Sequence, residues 1–371
     1  MPRRGLPIGR IFGITIDLDY SWFLIVALLS WMLAVGYFPA QYHGWSPGEY
    51  WAMGIVTAVL LFVSVLIHEL AHSLMAMHFG IPVPRITLFL FGGVSQIASE
   101  PPAPSVEFWI AIVGPLTSFA LAAFCWEIEP LLSLGPALAL AQYLAWINLI
   151  LGIFNLIPGF PLDGGRVLRS IVWRSTRSYH RATTVAGMTG RFFGFLLIFW
   201  GVWMAFTGNI GNGIWIAIIG WFLESAASTY IQQETFRTML GDHRVAEAMQ
   251  RNFVQAPGEE SLQELVEHEL APAHASYAVV TRFGAPAGLV TVHAIREVPR
   301  EEWPMTPATQ IMTPLEKLDT TQPNAILWSA LEKMGRDGVD QLPVMDGNGV
   351  VGVLSREDIV HYLAGLRMLS A

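Results

Sequence analysis

Six long apolar segments occupy the first 235 residues, near 19–38, 52–78, 106–126, 137–158, 187–207 and 213–231. Each is about long enough to cross a hydrocarbon core of roughly 30 Å. Inside such a core the backbone must satisfy its own hydrogen bonds, and segments of this length do so as helices. Composition points the same way. Charged residues make up 13% of the 371-residue chain and apolar ones 53%, against roughly a quarter charged in soluble proteins. The deficit is confined to residues 1–235; from about Thr235 the spans stop and charge rises. The expected organisation is a membrane part, 1–235, and a soluble part, 236–371.

Arginines orient the spans. Arg3, Arg4 and Arg10 precede the first, Arg85 lies between the second and third, and Arg166, Arg169, Arg174, Arg177 and Arg181 crowd the loop after the fourth. The loops near 39–51, 127–136 and 208–212 hold no Lys or Arg. By the positive-inside rule both termini are expected in the cytoplasm. No cleavable signal peptide is evident, because the first apolar stretch lacks a small-residue cleavage site. The single cysteine, Cys125, excludes an intramolecular disulfide and a cysteine-based metal site, and is expected to be a buried thiol. A net charge of −8 argues against nucleic acid as a partner.

The second span carries His68-Glu69-Leu70-Ala71-His72, and between Met53 and Phe79 Glu69 is the only Asp, Glu, Lys or Arg. On a helix the two histidines lie one turn apart on one face, where both imidazoles can bind one metal. Glu69 would then sit beside a water that it can deprotonate. Ionisable groups in a span are functional candidates by default. His78 faces another side of the helix and His43 lies in a polar loop; both read as bystanders. The span runs from outside to inside, so the motif falls in its inner half.

The fourth span ends on the same side, in Asn155-Leu156-Ile157-Pro158-Gly159-Phe160-Pro161-Leu162-Asp163-Gly164-Gly165-Arg166. Two prolines and three glycines break the helix there. Asp163 is expected on irregular backbone at the depth of the histidines, completing a three-ligand zinc site with one open position. Asn155 is expected to face the interior and donate to a substrate carbonyl or its developing oxyanion. Asn148, two turns earlier, reads as helix-packing glue.

Together with Gly92-Gly93 and Gly114-Pro115-Leu116-Thr117-Ser118, these motifs resemble the site-2 protease family of intramembrane zinc metalloproteases across residues 1–235. The resemblance implies that His68, His72 and Asp163 bind one Zn2+, that Glu69 is the general base, and that Asn155 assists the substrate or transition state. It also implies a transmembrane protein substrate cleaved within the bilayer. Two stretches, Ile14–Asp19 and Arg85–Leu90, alternate with the period of a strand. A small membrane-associated sheet is expected there, with Gly92-Gly93 allowing a tight reversal. A substrate added to its edge would be held extended, as the resembling family is thought to do.

In the soluble third an internal repeat recurs at an offset of 63 to 64 residues, with units near 244–300 and 308–368. Met249 corresponds to Met312 and Gly288 to Gly352. The second copy, with Ile311-Met312-Thr313-Pro314 and Gly352-Val353-Leu354-Ser355-Arg356-Glu357-Asp358, resembles a CBS domain. The expected fold is therefore a polytopic α-helical membrane protein of about six transmembrane helices with a small sheet, plus a soluble α/β tandem CBS domain. That resemblance implies ATP or AMP held by Ser355 and Asp358, and a homodimer through the CBS pair. The first copy has Thr291 but Ala294 in place of the aspartate. Asp358 alternatively reads as a residue favoured at a helix N-terminus. Two other functions remain open from sequence: a CBS-gated transporter or channel with a histidine ion site, and a membrane metallopeptidase with a later glutamate ligand. Transport needs polar groups distributed across the bilayer; here they cluster in one half.

Overall fold

The computed structural model describes residues 5–132, 135–241, 243–273, 275–347 and 349–370, with side chains to 366. Arg3 and Arg4, used above for orientation, lie outside them. The contacts divide the chain into two compact units at Glu234/Thr235.

The first unit opens with a hairpin, β1 (Gly5–Ile11) and β2 (Ile14–Asp19), closed by Phe12 and Gly13 at positive φ. Two such residues suit a tight turn whose twist matches the strands. β3 (Arg85–Phe89) pairs parallel to β2, and β4 (Gly92–Ser95) antiparallel to β3, so the order is β1-β2-β3-β4. The two strands expected from alternation are present. β1 was not foreseen. The reversal falls at Leu90-Phe91, and Gly92-Gly93 instead open β4.

Among the described residues six helices are long and apolar enough to cross a membrane. The first, Tyr20–Gln41, comprises α1 (Tyr20–Met32), a π-helical stretch (Leu33–Tyr37) and a last α-helical turn (Phe38–Gln41); the others are α2 (Pro47–His78), α3 (Pro104–Ile128), α4 (Pro136–Asn155), α6 (Tyr179–Phe206) and α7 (Ile210–Gly241). Phe192, Phe199, Trp200, Trp203 and Phe206 stand exposed along α6, a surface suited to lipid and not to water. Cys125 is free and only half-buried on α3. The expectation of a buried thiol fails because a span can face lipid, so an apolar environment does not require a protein interior.

Between α4 and α6 lies α5 (Asp163–Thr176), in a stretch read from sequence as a loop. Its arginines had marked it as a connection, yet Val167, Leu168, Ile171 and Val172 recur at helical spacing. Arg169, 8% exposed, reaches from α5 to Glu107, fully buried in the first turn of α3, through both Nε and Nη2. Its guanidinium also stacks 5.0 Å from the centre of the Phe160 ring and 4.7 Å from that of Tyr179. Removing one partner of a buried pair leaves the other charge uncompensated, at a cost of about 3–5 kcal/mol. Glu107→Ala is therefore expected to lower the unfolding temperature in detergent, and Glu107→Ala with Arg169→Ala to recover part of the loss. Equal stability of Glu107→Ala and wild type would show that the pair holds nothing.

The core of this unit joins sheet to helices. Ile14, Ile16, Leu18, Ile86 and Leu88 pack against Ala76 of α2 and Ile110 of α3. The sheet is thereby fixed beside the histidine helix.

The second unit contains β5 (Gln255–Pro257), β6 (Tyr277–Arg282), β7 (Ala285–Thr291) and β8 (Thr313–Pro314) in one sheet, and β9 (Gln341–Asp346) with β10 (Gly349–Ser355) in another. The repeat exchanges its entry segments. β8, which begins the second copy, pairs with β7 of the first, and Gln250 of the first copy bridges to Val353 of the second. Met312 accordingly lies over Gly288 and Met249 over Gly352.

Candidate metal centre and active site

His68 and His72 lie on α2 with their Nε2 atoms 3.1 Å apart. Asp163 Oδ2 is 3.0 Å from His68 Nε2 and 3.1 Å from His72 Nε2. Asp163 does not sit on irregular backbone as expected. Leu162 is the N-cap in extended conformation and Asp163 is the first residue of α5, where a carboxylate is favoured by the helix dipole. The break predicted from the prolines occurs over residues 156–162, and the helix resumes in time to present the carboxylate.

The far ring nitrogens are held as well. His72 Nδ1 lies 2.6 Å from the Ile110 carbonyl oxygen and His68 Nδ1 2.9 Å from Ser118 Oγ. A carbonyl only accepts, so His72 carries its proton on Nδ1 and directs the Nε2 lone pair at the cluster. When His68 likewise donates from Nδ1 to the Ser118 oxygen, three electron-pair donors converge with no hydrogen among them to share, an arrangement that calls for a cation. A tetrahedral zinc with bonds of about 2.0 Å separates its ligands by about 3.3 Å, close to the spacings here. His68, His72 and Asp163 thus fit one Zn2+, and they form the one His/Cys/Asp/Glu triplet of metal-binding geometry among the described residues.

Glu69 lines the same cavity, of about 270 Å³, with Asn155 and Gly93. Ser95 Oγ lies 2.5 Å from Glu69 Oε2. Asn155 donates from Nδ2 to the Leu151 carbonyl at 3.0 Å, which uses one of its two amide hydrogens. Asn148 is buried and donates to Ser64 Oγ on α2 at 3.1 Å, the packing role expected of it. His78 and His43 are exposed and outside the cluster.

Sequence reasoning singled out Gly114 and Ser118 within a motif without giving either a role, and missed the Ile110 carbonyl and Ser95 altogether. A Cβ at Gly114 would overlap His72 Nε2 and come within 2.6 Å of His68 Nε2. The signal for Ser118 was present as a small polar residue inside a span; a backbone carbonyl leaves none.

In the second unit Ser355 and Asp358 close on each other at the start of the helix Arg356–Ser370. The Ser355 N–H and hydroxyl reach Asp358 Oδ2 at 2.8 and 2.6 Å, and the Asp358 N–H donates to Ser355 Oγ at 3.1 Å. Gln250 Nε2 donates to the other carboxylate oxygen at 2.9 Å. Burial and the Asp358 carboxylate push the Tyr277 hydroxyl up to about 12. In the first copy Thr291 caps its helix by accepting from the Ala294 N–H at 3.2 Å.

A buried two-histidine, one-aspartate centre with an adjacent glutamate, set among spanning helices, defines a membrane-embedded metallopeptidase. The chain matches the profile of peptidase family M50 over residues 56–135 and 127–197, and that of the CBS domain over residues 308–365. It is 34% identical to a Mycobacterium tuberculosis protein named zinc metalloprotease Rip3, across 99% of this chain and 94% of that one. A Synechocystis protein named as a zinc metalloprotease is 32% identical, across 96% and 94%. The solved site-2 protease from Methanocaldococcus jannaschii is 27% identical, with a TM-score of 0.43, covering 61% of this chain and 95% of that one. The chain belongs to peptidase family M50, the site-2 zinc metalloproteases, and is an integral membrane protein with a CBS domain. That membership sets aside the transporter reading.

Proposed function

We propose that this protein cuts peptide bonds within transmembrane segments of other membrane proteins, with His68, His72 and Asp163 as ligands of one Zn2+, Glu69 as general base and Asn155 as a donor to the substrate carbonyl. The observation that carries the reading is the convergence of three ligand atoms beside a glutamate, in a cavity bordered by the edge strand β4. Bound zinc supplies a Lewis acid that polarises the carbonyl and acidifies water. Glu69 takes a proton from the attacking water and delivers it to the leaving amine nitrogen. The second amide hydrogen of Asn155 donates to the carbonyl oxygen as negative charge develops there. β4 binds the substrate as an added strand, which satisfies backbone groups that unwinding a substrate helix would expose. Both termini face the cytoplasm in this reading, and the cut falls near that surface.

Purified protein incubated with a transmembrane peptide is expected to yield fragments whose ends, by mass spectrometry, fall inside the apolar segment. Chelation should stop the reaction and added zinc restore it. Cleavage confined to flanking polar residues would overturn the reading.

For the soluble unit we propose adenosine-nucleotide binding at Ser355 and Asp358, with a homodimer through the CBS pair. Oδ1 of Asp358 accepts from Gln250 and keeps a second lone pair with which to accept from a nucleotide hydroxyl. Calorimetric titration of the full-length protein with ATP and AMP is expected to give saturable heat that Asp358→Ala abolishes. No heat at millimolar nucleotide would leave the pair as a helix cap.

A further inference from the structure

The general base of the proposed reaction is held by the strand that would receive the substrate. Ser95, the last residue of β4, places its Oγ 2.5 Å from Glu69 Oε2. The same Oγ lies 3.2 Å from Ser73 Oγ, and the Ser73 hydroxyl donates to the Glu69 carbonyl at 2.8 Å. Two residues earlier on β4, a Cβ at Gly93 would come within 2.5 Å of Glu69 Cγ. Residues 93 and 95 share one face of the strand, so β4 abuts Glu69 at both its stem and its carboxylate. We propose that Ser95 is a positioning residue for catalysis, holding the Glu69 carboxylate in its working orientation through its hydroxyl.

The chemistry suits a hydroxyl at this place. A hydroxyl is both donor and acceptor. It donates to Glu69 Oε2 and leaves Oε1 to take the water proton and pass it on, so the side chain is held through both halves of the proton transfer. β3 pairs with one side of β4, through Ile86 to Ser95 and Phe89 to Gly92. The other side is the sheet's edge among the described residues. A substrate strand on that edge is then registered against the same backbone that fixes the base. The inference rests on the protease reading given above, because it assigns Ser95 through Glu69.

The test measures kcat, KM and zinc content for wild type, Ser95→Ala, Ser95→Cys and Ser95→Thr on one transmembrane peptide. Ser95→Ala and Ser95→Cys are expected to lose roughly 10–100-fold in kcat, the range for a supporting partner of a site, with KM and zinc content unchanged. Ser95→Thr keeps the hydroxyl and is expected to recover most of the activity. Cysteine matches serine closely in size, so it separates the hydrogen bond from packing should the alanine variant fold poorly. Wild-type kcat in Ser95→Cys would overturn the proposal, as would loss of zinc in parallel with activity. Failure of the protease reading shows elsewhere, as cleavage that survives in Glu69→Gln.

Discussion

Glu69→Gln is expected to retain zinc and to lose peptide cleavage by about 10²–10⁴-fold, the usual contribution of general acid–base catalysis. Glutamine has the same shape, and its amide can still meet the Ser95 hydroxyl. It cannot take a proton from water. The ligands are untouched, since His68 and His72 are oriented by Ser118 and the Ile110 carbonyl and not by Glu69. Zinc per chain by elemental analysis and product yield from a transmembrane peptide give the two readouts. Undiminished proteolysis would remove Glu69 as base. Loss of zinc with loss of activity would move it from the reaction to the metal site.

Gly114→Ala is expected to damage the centre without touching a ligand. The added methyl would meet both ligating nitrogens at once. α3 cannot easily withdraw, because the bonds from Ile110 and Ser118 tie it to the two rings on α2. One or both imidazoles must swing away, and zinc affinity should fall by roughly 10–100-fold or more, the scale of losses when ligand orientation is disturbed. Activity should follow the zinc. Leu116→Ala, two residues on and 51% exposed, is the control, with wild-type zinc affinity expected. If Gly114→Ala binds zinc as wild type does, the helices can separate and the close packing carries no weight.

The legible parts of this molecule were those with a periodic or depth-dependent signature. Apolar runs of span length became the six long helices, and alternation at Ile14–Asp19 became β2 over the same residues. The histidine pair was readable because a helix places residues four apart on one face. Asp163 was found by matching depth, although the backbone around it was misread. β1, GLPIGRI, was hidden by two glycines and a proline, which suppress strand propensity. α5 was hidden by its two glycines and arginines. Long-range partners had no local trace: nothing near Glu107 names Arg169, 62 residues away, and nothing near Glu69 names Ser95.

The two ring anchors differ in what can reach them. Ser118 is a side chain, and substitution there can retune His68. His72 is held by the main-chain oxygen of Ile110, which every amino acid supplies. Pro115, inside α3, lacks the N–H owed to the Ala111 carbonyl and loosens the helix beside that oxygen. Sequence drift can therefore adjust one imidazole through its anchor, while the other rests on a contact that no replacement at position 110 deletes. In laboratory evolution of this centre, variation should accumulate around His68 and leave the setting of His72 almost unchanged.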